Sequence, residues 1–225
     1  MSPKASWDDK KELITTALES GIDYVLDTED SENIRKVGNF KIISDEEDAD
    51  IYLVGIDGEG DGTLELNDNL NESADLAKAT EAKNDGKTVC AYIVITDKLH
   101  EQLAVTLGRV VDYIILVATD WTIIPLENII ADLQKENVNI IAAVKNADDA
   151  KVAMETLEVG TDGVIFEPKE FAQIKDIANL IDELSTESYC LKDLTITNVE
   201  PVGSGDRVCI DTTTMMKPGE GMLIG

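Results

Sequence analysis

The chain has 225 residues, 43% of them apolar, and a formal net charge of −27 from 46 acidic and 19 basic side chains. The apolar share suffices for a sizeable core, while the charge repels phosphates over the whole surface and argues against nucleic acid or an anionic membrane as partners. No run of eighteen apolar residues occurs and the opening MSPKASWDDKKE has no apolar signal core, so membrane insertion and secretion are not supported and a cytoplasmic setting is expected.

Cys90, Cys190 and Cys209 are widely spaced with no CxxC, which reads as buried reduced thiols and not as staples or zinc ligands. An acidic surface of this kind suits a salty cytoplasm, where screening relieves self-repulsion.

In chain order, a helix begins after Ser6, with Asp8 and Asp9 at its positive end and Leu13, Ile14, Ala17 and Leu18 on one face; Gly21 ends it. Ile22 to Leu26 reads as a strand, Ser31 to Val37 as a short helix and Phe40 to Ile43 as a second strand. The acidic run Asp45 to Asp50 reads as a solvated loop and Ile51 to Ile56 as a third strand. The GEGDGTLEL segment that follows, with Gly58, Gly60 and Gly62, is not a phosphate-cradling loop. Glu59 and Asp61 stand between its glycines and no helix follows directly.

From residue 71 the pattern alternates. Helices are expected near Glu72 to Asn84, Asp97 to Leu107, Pro125 to Glu136, Ala147 to Glu158 and Pro168 to Leu184. Gly86, Gly108 and Gly160 serve as stops, and Pro125 and Pro168 as starts. The intervening VCAYIVI, DYIILVA, NIIAAV and DGVIFE are apolar without alternation, as strands buried on both faces of a parallel sheet must be. This is an α/β chain with about seven strands, one short of a TIM-barrel-like (β/α) repeat. A doubly wound open parallel sheet is the alternative.

The last stretch is the most idiosyncratic. Val199 to Gly225 sets Gly203, Gly205, Gly219, Gly221 and Gly225 around the short apolar run Val208 to Ile210, with Asp206, Arg207, Asp211 and Thr212 to Thr214 between them. The motif PVGSGDRVCIDT followed by KPGEGMLIG closely resembles the signature of the archaeal-type (class II) 3-dehydroquinate synthases. WDDKKELITTALESGIDYVL, DWTIIPLENIIADL and ETLEVGTDGVIFEP resemble further parts of that family, so the likeness extends over essentially the whole chain.

That resemblance implies two domains: a barrel-like catalytic domain over 1–185 and the start of a β-rich C-terminal domain over 186–225. It also implies that the family's opening strand is reduced here to MSPKA and that the second domain is cut short. The implied reaction, in the shikimate pathway to aromatic amino acids, is NAD-dependent oxidative deamination of 2-amino-3,7-dideoxy-D-threo-hept-6-ulosonate, then intramolecular aldol closure to 3-dehydroquinate. A hydride must leave the amine-bearing carbon, and a base must act beside the other carbonyl while the chain is held coiled. No GxGxxG follows a strand and opens a helix, so NAD rests on the resemblance alone.

In a barrel the chemistry sits where strands end at their carboxyl side, which gives Asp27, Asp57, Thr96, Asp97, Thr119, Asp120, Lys145 and Glu167. Lys145, directly after NIIAAV, is a candidate base or Schiff-base lysine; the alternative is a surface cation at a strand end. Asp120 and Glu167 are candidate catalytic carboxylates, or else turn and helix N-terminal charges. Lys4 in PKAS matches the family's first-strand lysine and is assigned to the substrate carboxylate. Asp27, Arg207, Asp211 and Thr212 are the other substrate-binding candidates, with Gly203, Gly205 and Asp206 on the cofactor. Arg207 suits a carboxylate or pyrophosphate, the alternative being an ion pair with Asp206 or Asp211.

His100, the sole histidine, reads as structural or exposed, so neither a Ser-His-Asp triad elsewhere nor a multi-histidine zinc site can be built. Metal dependence is left open, and Trp7, Trp121, Met215 and Met216 read as packing residues. A small-molecule substrate is the expected partner, with a homo-oligomer as an open possibility. Two other functions stay open: a non-redox sugar-acid lyase or aldolase using a lysine Schiff base, and an inactive truncated remnant.

Overall fold

The computed structural model describes residues 6–118, 126–155 and 160–185, together with isolated positions between 195 and 218. The chain divides into two compact units, Met1–Glu187 and Ser188–Gly225. In the second, Gly203 has a φ of +111°, a left-handed conformation suited to glycine.

The first unit opens with α1 (Trp7–Glu19), where the Ser6 hydroxyl accepts from the Asp9 N–H at 3.4 Å and Asp8 and Asp9 occupy the first turn. Its buried stripe is Lys10, Ile14 and Ala17; Leu18 lies outside it, 37% exposed. Gly21, at φ +76°, turns the chain out of the helix as its position implied.

There follow β1 (Tyr24–Leu26), α2 (Ser31–Val37), β2 (Lys41–Ser44), β3 (Ile51–Val54), a single 3-10 turn (Leu70–Glu72), α3 (Ala74–Asn84), β4 (Val89–Ile95) and α4 (Lys98–Gly108). The unit continues through β5 (Tyr113–Ala118), α5 (Leu126–Leu133), β6 (Asn139–Ala143), α6 (Ala147–Glu155), β7 (Gly163–Ile165) and α7 (Phe171–Ser185). Pro168 does not start α7, which begins three residues later. Gly108 is not a stop but the last residue of α4. A Cβ there would meet Leu133 Cδ1 at 2.6 Å, so its glycine serves the close approach of α4 to α5.

All seven strands are parallel and lie in sequence order, β1-β2-β3-β4-β5-β6-β7. A doubly wound sheet requires the order to reverse at a switch point, and none occurs here. Only the β2–β3 link lacks a helix. Ile51 pairs with Ile43, so β3 starts level with the end of β2 and the connection crosses one strand spacing without running back. Asp50, at the end of the acidic run, is structural: its carboxylate accepts from the Ile42 N–H at 2.9 Å and pairs with Arg35 at 3.0 Å.

The sheet is curled. In a flat sheet, strands four places apart stand about 19 Å from each other, yet the rings of Tyr24 on β1 and Tyr113 on β5 have centroids 6.4 Å apart. The helices follow the same curve, for α1 packs against α7. One face of the sheet therefore becomes an interior, lined by Ile43, Ile51, Leu53, Cys90 and Ile115 with Leu26, Tyr92, Val117, Ile141 and Ile165 around them. The other face carries Ala91, Ile93, Ile95, Ile114, Leu116, Ile140, Ala142 and Val144 against the helices. Both faces are covered, which is why the strands read as unbroken apolar runs. Cys90 is a buried thiol whose pKa burial pushes up; Cys190 and Cys209 lie outside the described residues.

Candidate active site

Strand alternation decides which residues meet at the carboxyl-end mouth of the interior. On β6, Ile140, Ala142 and Val144 point outward and Ile141 inward, and Lys145 follows at the bend two residues past the end of the strand. The Val144 N–H still donates to Ile165 O at 2.9 Å, extending the ladder to the residue before Lys145. On β7, Ile165 points inward and Phe166 outward, and Glu167 follows on the inner row. Ala143 pairs with Ile165, so Lys145 and Glu167 stand two residues on, at neighbouring strand ends. Both are exposed. The backbone N–H of Lys145 donates to Asp149 of α6 at 3.3 Å.

Two further residues face this mouth, and the sequence reading passed over both. Tyr92 is on the inner row of β4, half-buried. Burial, then the negative charges of Asp61 and Glu167, hold its phenol above its ordinary pKa. Asp61 lies in the loop after β3. Burial works to raise its pKa, but the N–H groups of Thr63, Asp57 and Gly58 and the Thr63 hydroxyl prevail and hold the carboxyl below its usual range. The signal for Tyr92 was its parity within VCAYIVI, two residues after the inward Cys90; nothing local marked Asp61.

The glycines of that loop serve close packing against β4. A Cβ on Gly55 or Gly60 would meet Tyr92 O at 2.2 or 2.3 Å, and the Val94 N–H donates to Gly60 O at 2.7 Å. The loop's amides are already committed. Asp57 and Gly58 donate to Asp61 at 2.9 and 3.2 Å, and Gly60 donates to the buried Asp75 at 2.8 Å. Below them the buried Glu59 accepts from the Ser73 hydroxyl and from the Asp75 N–H. An anion-binding nest is thus filled by the chain's own carboxylates, in agreement with its rejection as a phosphate cradle.

Asp27 stands apart from the mouth. Its neighbour Val25 packs with Ile14 and Ile34 on the outer side, and its carboxylate bonds Lys10 of α1 at 3.2 Å and the N–H groups of Glu29 and Asp30 at 2.9 and 2.7 Å. Asp97 caps α4, accepting from the Leu99 and His100 N–H groups at 2.9 and 3.0 Å. The His100 ring joins the same turn: its Nδ1 lies 2.9 Å from Asp97 Oδ1 and 3.0 Å from Thr96 Oγ1. Trp7 packs on the cluster around Ile14 and Phe40. Lys4, Asp120, Gly205, Asp206, Arg207, Asp211 and Thr212 lie outside the described residues, as do Thr119, Trp121, Met215 and Met216; Gly203 is exposed. Among the described residues no group of three His, Cys, Asp or Glu side chains is placed to hold a metal ion.

Comparison with known families decides what this frame belongs to. A family model described as "3-dehydroquinate synthase II N-terminal domain" matches residues 1–181, and one described as "3-dehydroquinate synthase II C-terminal domain" matches residues 193–225. The chain belongs to the 3-dehydroquinate synthase II family. It is 68% identical over 225 residues to the 3-dehydroquinate synthase of Methanobrevibacter smithii, covering 100% of this chain and 61% of that relative. It is 60% identical to that of Methanothermobacter thermautotrophicus, covering 100% and 60%, and 49% identical to that of Methanocaldococcus jannaschii, covering 98% and 57%. The chain thus spans about three fifths of the length of the curated relatives it matches. The likeness read from PVGSGDRVCIDT and KPGEGMLIG holds. Within the 3-dehydroquinate synthase II frame, the described part of the candidate site is Asp61, Tyr92, Lys145 and Glu167. No helix among the described residues is long and apolar enough to cross a membrane.

Proposed function

We propose that this chain is the N-terminal catalytic part, with the start of the C-terminal domain, of an archaeal-type 3-dehydroquinate synthase. The observation that carries this reading is 68% identity over 225 residues with a protein of that name. The reaction assigned is oxidative deamination of 2-amino-3,7-dideoxy-D-threo-hept-6-ulosonate and intramolecular aldol closure to 3-dehydroquinate, in the cytoplasm. The curled sheet is taken as most of a (β/α) barrel, with an eighth strand fitting between β7 and β1.

NAD is the oxidant in this reading; when bound it would supply the hydride acceptor for oxidation at the amine-bearing carbon, after which hydrolysis of the imine would release ammonia. The glycine loop after β3 does not fit its pyrophosphate, because the amides of Asp57, Gly58 and Gly60 already serve Asp61 and Asp75. The reading therefore leaves the cofactor to Gly203, Gly205 and Asp206. Arg207, Asp211, Thr212 and Lys4 are kept for the substrate and Asp120 for acid–base work.

The chain's own work is the ring closure. Glu167 takes the proton beside the ketone, and Lys145, at the neighbouring strand end, sets its cation against the oxygen where charge develops. Holding the two ends of a flexible acid in one interior makes carbon–carbon bond formation effectively unimolecular. The test is the purified full chain with the amino-heptulosonate and NAD, followed by NADH absorbance and ammonia release. Both products appear in this reading, and Lys145→Met or Glu167→Gln lowers kcat by about 10²–10⁴. Neither product from wild type sinks the function; variants within twofold of wild type sink the two roles.

A further inference from the structure

Tyr92 supplies the only hydroxyl on β4 and sits on its inner row, packed against the cluster of Ile43, Ile51, Leu53, Cys90 and Ile115. Its place is rigid. The loop after β3 lies so close that Gly55 and Gly60 admit no side chain against Tyr92 O, and the Gly60–Val94 hydrogen bond fastens that loop two residues further along the strand. Asp61 and Glu167 bring two carboxylates to bear on the phenol from the loop after β3 and the end of β7, and no hydrogen bond to a described residue acts on it. The ring is half-buried, and a tyrosine pairs such an apolar body with a hydroxyl able to take a polar partner. Beside two carboxylates that partner is a neutral oxygen, because an anion there is repelled. The phenol's raised pKa keeps it a protonated donor throughout the neutral range.

We propose that the Tyr92 hydroxyl is a substrate contact of this site, donating a hydrogen bond from the inner face of β4 to a hydroxyl or carbonyl oxygen of the bound sugar acid. The inference rests on the reaction proposed above. Tyr113 is its natural control. It belongs to the same interior but lies two residues nearer the strands' amino ends, since Tyr92 pairs with Ile115, and there the Tyr24 ring is its neighbour at 6.4 Å.

The experiment compares Tyr92→Phe and Tyr113→Phe with wild type in the full chain. Steady-state kinetics use the amino-heptulosonate and NAD, and calorimetry measures binding of the acid. Loss of one buried hydrogen bond to a ligand oxygen predicts a fall in kcat/KM of about 10- to 100-fold for Tyr92→Phe, with Tyr113→Phe within twofold of wild type. Tyr92→Phe within twofold of wild type, or an equal loss in both variants, overturns the proposal. If wild type binds the acid without turning it over, the reaction falls but the contact is still decided. Weaker binding by Tyr92→Phe alone supports it, and equal binding overturns it. No binding by wild type overturns both.

Discussion

Lys10 lies 2% exposed on the same helix stripe as Ile14 and Ala17, its ammonium held by Asp27 at 3.2 Å and Asp30 at 2.8 Å. Burial works to lower its pKa, but the hydrogen bonds and charges of Asp30 and Asp27 prevail and raise it. For Asp27, burial works the other way and is outweighed by the Glu29 and Asp30 N–H groups and by Lys10, so its pKa falls. Asp27 therefore adds stability above its unfolded pKa of about 4, lost as pH drops through the folded value. Lys10 adds stability below about 10.4, lost as pH climbs through its raised folded value. The pair contributes in full between about pH 5 and 9. Removing one partner of a buried pair costs about 3–5 kcal/mol, so Lys10→Met lowers the urea-unfolding free energy by that order at pH 7. At pH 3 the gap narrows. A gap unchanged between the two pH values would show that packing, and not charge, explains the loss. The arrangement was partly legible: Lys10 shares the spacing of Ile14 and Ala17, but nothing in the sequence announced Asp27 as its partner.

At the scale of elements, boundaries came out best where caps and breakers are local. The helix Ser31–Val37 is as read, and Gly21, Gly86 and Gly160 have φ of +76°, +78° and +66°. Gly108 and Pro168 were misread because their use is decided by neighbours: Leu133 packs on the first, and α7 starts beyond the second. The loop after β3 is the extreme case, since its glycines answer to a strand some thirty residues later. Gly60→Ala places a methyl 2.3 Å from Tyr92 O and is expected to cost about 2–4 kcal/mol in denaturant unfolding. Gly62→Ala, at φ +79° but facing open space, costs about 1 kcal/mol from backbone strain alone. Similar losses in both would mean that the loop does not bear on β4 as described.

Over the whole molecule, the seven-stranded order and the Tyr24–Tyr113 contact make a curled sheet whose mouth gathers residues far apart in the chain. The charge of −27 acts at this scale too. Self-repulsion opposes the compact state and is screened as the Debye length falls from about 10 Å at 0.1 M salt to about 3 Å at 1 M. Raising KCl over that range is expected to lift Tm by about 5 °C or more, on the order of 2 kcal/mol. Calorimetric melting checks this, and a Tm that stays level would show that the acidic surface is neutralised locally.

Local chemistry is enough to write an α/β alternation, its buried parallel strands and most helix ends, because propensity, capping and apolar runs act between residues near in sequence. The same information marked Lys145 and Glu167 as first polar residues after strands. Only the tertiary structure brought the two to neighbouring strand ends, set Glu167 and Asp61 near Tyr92, and turned Asp27 outward to Lys10. Those pairings depend on strand parity, register and curvature, which are set by contacts between segments that the chain itself holds apart.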